Sequence, residues 1–290
     1  MSGGVVLNSN ISSISASRIL ANNRASLEKA MERLSSGKRI NSAADDAAGM
    51  AVSAKMRADI RSLNQSVRNV NDAISLVNTY DGAASEIESI LIRMRELAVQ
   101  TSNGTYEAAD RTNADYEYQA LKAEITRIAG VSAFNRSTLG QGATAANGTT
   151  GSADTAFSFY VGADVAKTGN SITFSAKALD LNKAVSTDTL NSVVTTASSQ
   201  QAIASLDSAI TELAANRAEA GALVNRLEHT VSNLMNVSQR LQEAVSGIED
   251  ADYAAESANL ARGMVLAQAG TAMLAQANQA PQYILSLLRG

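Results

Sequence analysis

A run of apolar residues at alternating spacings of four and three residues constrains the fold of this chain more than any other feature. Its members are Met56, Ile60, Leu63, Val67, Val70, Ile74 and Val77. Such spacing places side chains on one stripe of an α-helix that packs lengthwise against other helices. After Val77 the phase slips by three residues, and the stripe resumes from Tyr80 to Ala98. The pattern predicts one long helix from Ala43 to Gln100.

Two further segments carry apolar stripes of the same kind. The shorter segment has five residues on one face: Ala114, Tyr118, Leu121, Ile125 and Ile128. We expect Gly130 to stop that helix. The longer segment runs from Leu206 to Ile248 at the same spacing, and only Arg217 and Ser238 interrupt its apolar character. The three helices are predicted to share one long bundle core.

Between the second and third predicted helices the composition changes. Residues 137 to 156 are small and polar without any period, which is typical of a loop. Apolar and polar residues then alternate around Phe157 and Phe159, and again around Ile172 and Phe174. Such alternation is the pattern of β-strands with one buried face, and the two runs predict a β-hairpin.

The composition excludes several classes of function. The chain has no Cys and 1 His, which rules out disulfides and zinc sites that need two histidines. Its net charge of -4 comes without a basic block, so we expect no nucleic-acid partner. The apolar runs fall short of the roughly 18 residues that a membrane span needs, and we expect no membrane insertion.

Two acidic residues and the single histidine are the candidates for chemistry, and all three favour a structural interpretation. Ser42, with Asp45 three residues later, resembles a capping box at the start of the long helix. Asp45 and Asp46 are neighbours that point in different directions on a helix, and the first turn favours carboxylates because of the helix dipole. His229 lies near no Ser or Cys motif. We therefore expect no catalytic residues, no cofactor and no metal.

The two terminal segments are long enough for helices but offer little apolar surface per turn. Residues 11 to 34 carry a broken apolar stripe, residues 252 to 280 are rich in Ala, and Pro281 is expected to end or bend the last helix. Ordering a residue costs about 1 to 2 kcal/mol, whereas a buried Leu returns roughly 1.5 to 3 kcal/mol and an Ala much less. We expect both ends to be disordered in a free monomer and to fold among other copies.

Four ordered motifs resemble those of bacterial flagellin. "LSSGKRINSAADDAAGMAVSAKM" (34 to 56) is similar to the amino-terminal signature of that family. "IEDADYAAESANLARGMVLAQAGTAMLAQANQAPQYILSLLRG" (248 to 290) is similar to its carboxy-terminal signature. "RMRELAVQTSNGT" (93 to 105) and "EITRIAGVSAFN" (124 to 135) lie between them. The resemblance spans nearly the whole chain.

The resemblance implies a short flagellin that has the two inner domains only. The expected fold is mainly α: a long antiparallel helical bundle with a small β-hairpin region, and terminal helices paired as an inner coiled-coil domain. Residues 1–44 and 251–290 would form the inner domain. Residues 45–180 would supply two helices and the hairpin of the bundle domain, and residues 181–250 its last long helix.

The same resemblance implies a structural subunit that polymerises into the flagellar filament used for swimming. Head-to-tail contacts between unlike patches extend into an open helix when the rotation does not close. Export through the flagellar type III apparatus would place the chain in the extracellular filament, with an export chaperone, a cap and hook-junction proteins as partners. The residues expected in inner-domain contacts are Ile11, Ile14, Leu20, Leu27, Leu34, Leu260, Leu274, Ile284, Leu285, Leu287 and Leu288.

A second set of residues relates to innate recognition. Arg93, Leu97, Gln100 and Glu117 match positions that animal Toll-like receptor 5 contacts in recognised flagellins. Ile92 stands where a polar residue is more usual. The resemblance thus implies recognition by a receptor that contacts the same helical surfaces that pack subunits together in the filament.

Two alternatives remain open at this point. A hook-filament junction protein has terminal helices of this kind, but "LSSGKRINSAADDAAG" and "NQAPQYILSLL" favour a flagellin. A cytoplasmic coiled-coil signalling protein has similar heptads, but it would lack the apolar end and the strand-like "FSFYVG" and "SITFS".

Overall fold

The computed structural model describes residues 10–139, 155–162, 169–177, 179 and 192–289. In these residues the chain forms five helices: α1 (Ile11–Ser36), α2 (Ala47–Ser102), α3 (Ala108–Val131), α4 (Thr196–Glu249) and α5 (Tyr253–Arg289). Four short strands make two antiparallel pairs, in which β1 (Ala133–Phe134) joins β2 (Ser137–Thr138) and β3 (Thr155–Tyr160) joins β4 (Ser171–Ala176). The predicted fold class is confirmed, since the described chain is mainly helical, carries a small β-hairpin and pairs its terminal helices.

The chain divides into two compact units. One unit contains residues 1–58 and 240–290, and the other contains residues 59–239. The resemblance implied different boundaries, with an inner domain of residues 1–44 and 251–290 and a bundle domain of residues 45–250. These boundaries refer to the subunit within a filament, and they stay a prediction. None of the helices in the described residues has an apolar stretch long enough to cross a membrane.

Within residues 59–239, α2 and α4 run antiparallel. Their polar contacts pair rising positions on α2 with falling positions on α4: Asn64 with Ser238, Asp81 and Glu88 with Arg217, Arg95 with Asp207, and Thr101 with Ser199. The predicted bundle of long helices is therefore present in this unit.

The two polar residues in the predicted stripe of α4 keep their place because each has a partner on α2. Arg217 Nε lies 2.8 Å from Asp81 Oδ1, and the same guanidinium also pairs with Glu88. Hydrogen bonds to these two carboxylates raise the pKa of Arg217 above its usual range. Ser238 Oγ donates to Asn64 Oδ1 at 3.2 Å. The interruptions of the stripe thus hold the two helices in register.

The predicted hairpin is confirmed as β3 and β4, with Phe157 opposite Phe174. Every second residue of β4 is buried, and the ring of Phe174 meets Tyr80 of α2 edge to face, with ring centroids 5.4 Å apart. Ser66 Oγ donates to the carbonyl of Gly162 at 3.1 Å. The hairpin is therefore bound to α2 by both an aromatic contact and a hydrogen bond.

Three predicted helix ends are wrong, and one of them is the end of α2, which lies at Ser102 rather than Gln100. The long helix begins at Ala47 rather than Ala43, because Asp46 Oδ1 accepts from the backbone N–H of Gly49 at 2.9 Å and so caps the first turn. Asp45 lies before the helix, where its Oδ2 accepts from the backbone N–H and the hydroxyl of Ser42, both at 3.1 Å. The expected capping box of Ser42 and Asp45 is instead a turn that precedes the helix.

At the end of α3, Gly130 does not stop the helix, which continues to Val131. A single glycine in a helix costs about 1 kcal/mol relative to Ala and is tolerated. The helix ends where Ser132 adopts extended backbone angles and its N–H donates to the carbonyl of Ile128. The small β1–β2 hairpin that follows was not predicted, because its turn residues Asn135 and Arg136 have positive φ without any glycine to mark it.

Candidate functional site

Helices α1 and α5 pack against each other along a seam with the same spacing of four and three residues. The half-buried residues of α5 on this seam are Glu256, Leu260, Gly263, Ala267, Gly270, Leu274 and Ala277. A Cβ on Gly270 would lie 3.2 Å from Cδ1 of Leu20, and one on Gly263 would lie 3.4 Å from Cβ of Leu27. Glycine at these two positions lets α5 approach the leucines of α1 closely. We call this contact the α1–α5 seam.

Polar contacts at one end of the seam set its antiparallel register. Arg33 Nη1 lies 2.9 Å from Glu256 Oε1, and the hydroxyl of Tyr253 donates to the carbonyl of Leu34 at 2.8 Å. The hydrogen bond from Arg33 lowers the pKa of Glu256 below its usual value. The carboxylate of Glu256 is therefore charged when it pairs with Arg33.

At the other end of the seam, Asn10 makes two contacts. Its Oδ1 accepts from the backbone N–H of Ser13 at 3.1 Å and caps α1, while its Nδ2 donates to the carbonyl of Ala277 at 2.8 Å. In a regular α-helix that carbonyl would accept from the N–H of residue 281, but Pro281 has none. Asn10 thus supplies the donor that the proline removes.

Pro281 was expected to end or bend the last helix, and the first of these alternatives is wrong because the backbone of α5 continues through Pro281 to Arg289. The hydrogen bond from Asn10 to the carbonyl of Ala277 gives the physical reason, because it satisfies the group that a proline normally leaves free.

The segment that follows α1 is joined to the segment that leads into α5. Lys38 and Asp250 form an antiparallel β-bridge, and the backbone N–H of Arg39 donates to the carbonyl of Glu249 at 2.6 Å. The buried carboxylate of Glu249 pairs with Arg57 at 2.6 Å and with Lys38 at 3.7 Å. Gly37, at a φ of 71°, provides the left-handed residue that ends α1. These contacts hold α1 and α5 side by side.

The outward face of α5 is a second stripe of small apolar residues, all of them exposed. Its members are Ala254, Ala258, Ala261, Val265, Ala269 and Ala272, and their spacing is again mostly four and three. Val265 is 67% exposed, and Met264, Leu266 and Met273 are exposed beside it. We call these residues the outer face of α5. Exposed apolar surface of this kind marks an interaction site.

The residues predicted for inner-domain contacts fall into three groups. Leu20, Leu27, Leu34, Leu260 and Leu274 are buried or half-buried in the unit that α1 and α5 form. Ile11 and Ile14 are exposed on α1. The side chains of Ile284, Leu285, Leu287 and Leu288 lie outside the described residues.

Sequence reasoning missed the outer face of α5, although its spacing was legible. The segment from 254 to 272 contains two interleaved stripes, but from the sequence it was described only as rich in Ala, with Leu260 and Leu274 among the expected contact residues. Alanine contributes little area on its own, so a stripe made mainly of Ala is conspicuous only when the structure shows that none of the described residues covers it.

The four residues that relate to innate recognition do not all lie at the surface. Arg93 pairs with Glu117 at 2.8 Å and with Glu96 at 3.0 Å, and the hydrogen bond to Glu117 raises the pKa of the arginine. Gln100 Nε2 donates to the hydroxyl of Tyr106 at 3.1 Å. Leu97 is buried in the core, so it supports this surface from below.

No cluster of side chains suited to a metal ion occurs in the part of the chain that the structure describes. The single histidine, His229, is exposed on α4. The apolar surfaces of α1 and α5 are consequently the most distinctive candidate site among the described residues.

Comparison with known proteins gives consistent matches over most of the chain. Residues 7–145 match the family model of the bacterial flagellin N-terminal helical region, and residues 203–288 match that of the C-terminal helical region. A flagellin of Halalkalibacterium halodurans is 42% identical over 285 residues, which covers 98% of this chain and 100% of the relative. The flagellar filament 33 kDa core protein of Treponema phagedenis is 40% identical over 287 residues, with coverage of 98% and 100%.

A solved structure from Vibrio parahaemolyticus, named as a candidate flagellar hook-associated protein, is similar in fold only. It shares 13% identity with this chain at a TM-score of 0.56, and the match covers 71% of this chain and 100% of that one.

Proposed function

Since the chain belongs to the bacterial flagellin family, and is thus a structural subunit that self-assembles into the flagellar filament, we propose that copies of it meet through the outer face of α5. The observation that carries this proposal is the second stripe of α5. A helix with apolar stripes on two opposite faces buries both only when two other helices surround it. Helix α1 covers one stripe, and the second awaits a helix of another copy.

The chemistry of the outer face fits a neighbouring helix at close range. Alanine side chains let another helix approach closely, and Val265 projects between Ala261 and Ala269 as a larger side chain. Ile11 and Ile14 are exposed on α1, so the two helices present unlike apolar surfaces. Unlike surfaces that meet head to tail extend into an open helical polymer when the rotation between copies does not close. We propose that Ile284, Leu285, Leu287 and Leu288 add to the same contacts.

The same proposal extends to the proteins that handle the chain before assembly and to its secretion. An apolar face that is exposed before assembly needs a cover, which supports an export chaperone on the carboxy-terminal segment. The proposal also includes secretion through the flagellar export apparatus, with the cap and the hook-junction proteins as partners. It assigns the chain no enzymatic role. Recognition by Toll-like receptor 5 is proposed through Arg93, Gln100 and Glu117, which share one surface with Leu97 beneath them.

The alternatives are less well supported. Relatives that match over nearly the whole chain are named as flagellins or filament core proteins, whereas the likeness to a hook-associated protein concerns the fold alone. The β3–β4 hairpin and the α1–α5 seam distinguish the chain from an uninterrupted signalling hairpin.

A matched pair of charge substitutions tests the proposal. Val265→Asp places a carboxylate on the outer face of α5, and Val131→Asp places one at a position of similar exposure, 61%, at the end of α3. We expect purified Val265→Asp chain to fail to extend filament seeds at neutral pH, while Val131→Asp chain extends them like the unmodified chain, as followed by sedimentation. Growth of Val265→Asp at the unmodified rate, or equal loss of growth in both variants, would overturn the proposed role of the outer face.

Removal of residues 281–290 tests the part played by the tail. We expect the shortened chain to stay soluble when it is mixed with seeds, because Ile284, Leu285, Leu287 and Leu288 are then missing from the contacts. Sedimentation of the shortened chain together with the seeds would show that these four residues are dispensable.

A further inference from the structure

The exposed methionines of the described chain are concentrated on α1 and α5. Met31 is 46% exposed on α1, and Met264 and Met273 are 52% and 64% exposed on α5. Met235, on α4, is 58% exposed and lies in the other unit. Met94 is fully buried in the core of that unit. Met264 and Met273 therefore flank the outer face of α5, and Met31 is exposed on the neighbouring helix α1.

We propose that Met31, Met264 and Met273 are oxidation-sensitive residues whose oxidation state controls whether a free chain can join a filament. This inference rests on the proposed function of the outer face. Hydrogen peroxide is the oxidant: the sulfur lone pair attacks one peroxide oxygen, the O–O bond breaks, an S–O bond forms, and the other oxygen leaves as water. The thioether loses two electrons and becomes a sulfoxide, while the peroxide is reduced.

Oxidation changes the chemistry of the surface more than its shape. A sulfoxide oxygen is a strong hydrogen-bond acceptor, whereas the stripe beside Met264 and Met273 consists of Ala and Val side chains that have no donors. In a free chain water satisfies the new oxygen, so the oxidised monomer keeps its stability. When a neighbouring copy covers these residues, the oxygen loses its water, and the Ala and Val side chains of the outer face offer it no donor. The modification therefore opposes assembly without unfolding the subunit.

Oxidation acts on free chains before they join a filament, and it therefore controls the incorporation of new subunits. A chain that has not yet assembled exposes these sulfurs to peroxide, and a chain within the filament has them covered by its neighbours. Oxidation then blocks new subunits and leaves existing filaments intact. Reduction of the sulfoxides by methionine sulfoxide reductases reverses the block.

The experiment compares seeded growth of full-length chain before and after treatment with dilute hydrogen peroxide, with the sulfoxides located by peptide mass spectrometry. We expect oxidation of Met31, Met264 and Met273 to raise the critical concentration for growth at least tenfold, or about 1.4 kcal/mol. The thermal unfolding of the oxidised monomer should match that of the untreated chain. Treatment with the reductases should restore growth.

Two variants separate this site from oxidation elsewhere. The triple variant Met31→Leu, Met264→Leu and Met273→Leu should grow equally well before and after peroxide, because Leu keeps the apolar volume and cannot be oxidised. The matched control Met235→Leu removes the exposed methionine of α4 and should stay as sensitive as the unmodified chain.

Equal inhibition of the triple variant by peroxide would overturn the inference, as would undiminished growth of a chain oxidised at all three positions. Growth of the untreated unmodified chain, together with the failure of Val265→Asp chain to grow, shows that the proposed function holds when the oxidation result fails. Absence of growth in the untreated chain would instead overturn the proposed function, and this inference with it.

Discussion

Asn10 and Pro281 are coupled through a single carbonyl, and this coupling can be measured. Asn10 Nδ2 donates to the carbonyl of Ala277, which is the group that the N–H of residue 281 would satisfy in a helix without proline. The substitution Asn10→Ala removes both this donor and the oxygen that caps α1 through Ser13. We expect it to weaken the α1–α5 seam through two separate losses.

Each loss has a known scale. Replacing an asparagine N-cap by Ala costs about 1 kcal/mol. A carbonyl that loses its partner costs roughly 1 to 3 kcal/mol when it is desolvated, and the partly buried carbonyl of Ala277 belongs at the lower end, near about 1 kcal/mol. The sum of about 2 kcal/mol corresponds to roughly a thirtyfold increase in the opening of the helix pair.

A double-mutant cycle isolates the contribution of the carbonyl. Pro281→Ala restores a backbone N–H that can donate to Ala277, so Asn10→Ala should cost only about 1 kcal/mol in that background. The expected coupling energy is therefore about 1 kcal/mol. Asn10→Asp provides an independent test, because its carboxylate can still accept from Ser13 but cannot donate to Ala277.

Hydrogen exchange of the α1 and α5 amides in the full-length chain, before and after seeded assembly, measures these free energies. The substitution Asn10→Ala should lower protection about thirtyfold in the unmodified chain and about fivefold in the Pro281→Ala background. If Asn10→Ala lowers protection equally in both backgrounds, the side chain does not satisfy the carbonyl and the explanation for the continuous α5 fails.

Three further outcomes are expected. Gly221→Ala should stabilise its unit by about 0.5 to 1 kcal/mol in thermal unfolding, because its Cβ would meet no atom within 4 Å. Gly270→Ala should gain less stability, because its Cβ would press on α1 at 3.2 Å. Equal gains in stability would show that the α1–α5 seam is loosely packed. Arg217→Ala should destabilise the bundle by about 1 kcal/mol, since it leaves two carboxylates of α2 without their partner. The control Arg240→Ala removes an exposed ion pair within one helix and should change the unfolding midpoint little. Similar shifts of the midpoint in the two variants would refute the role of Arg217 in helix register. The hydrogen bonds from Ser42 lower the pKa of Asp45 from 3.8 to about 2. The contribution of Asp45 to stability is therefore complete above about pH 4 and is lost as the pH falls towards 2. Asp45→Asn should remove this part of the acid dependence of unfolding, and an unchanged acid profile in that variant would contradict the assignment.

The sequence predicted the long helices well because each signal was local and repeated many times. The alternating spacing in α2 extends over more than ten turns, so an error at any one position leaves the prediction intact. The alternation around Phe157 and Phe174 predicted the β3–β4 hairpin for the same reason. Helix ends were less well predicted, because Asp45 and Asp46 are adjacent residues of the same type and either could cap the helix.

The candidate site was predicted only in part. The leucines on the α1–α5 seam stood out as large aliphatic side chains, whereas the glycines that let the helices approach, and the alanines of the outer face, carried no comparable signal. Gly130 was expected to end a helix and Pro281 to end or bend one, and both helices continue past these residues. A helix tolerates one glycine, and at Pro281 the distant Asn10 supplies the missing donor.

The sequence by itself determined which segments are helical, where the hairpin lies and which family the motifs resemble, since each follows from periodicity or spacing within a short stretch of chain. Only the tertiary structure decided which residues meet across α1 and α5. Asn10 and Ala277 are 267 positions apart, and no local pattern states that one supplies the donor that Pro281 denies to the other. The same holds for the outer face of α5. A stripe becomes a candidate binding surface only when the helices around it are in place and leave it uncovered.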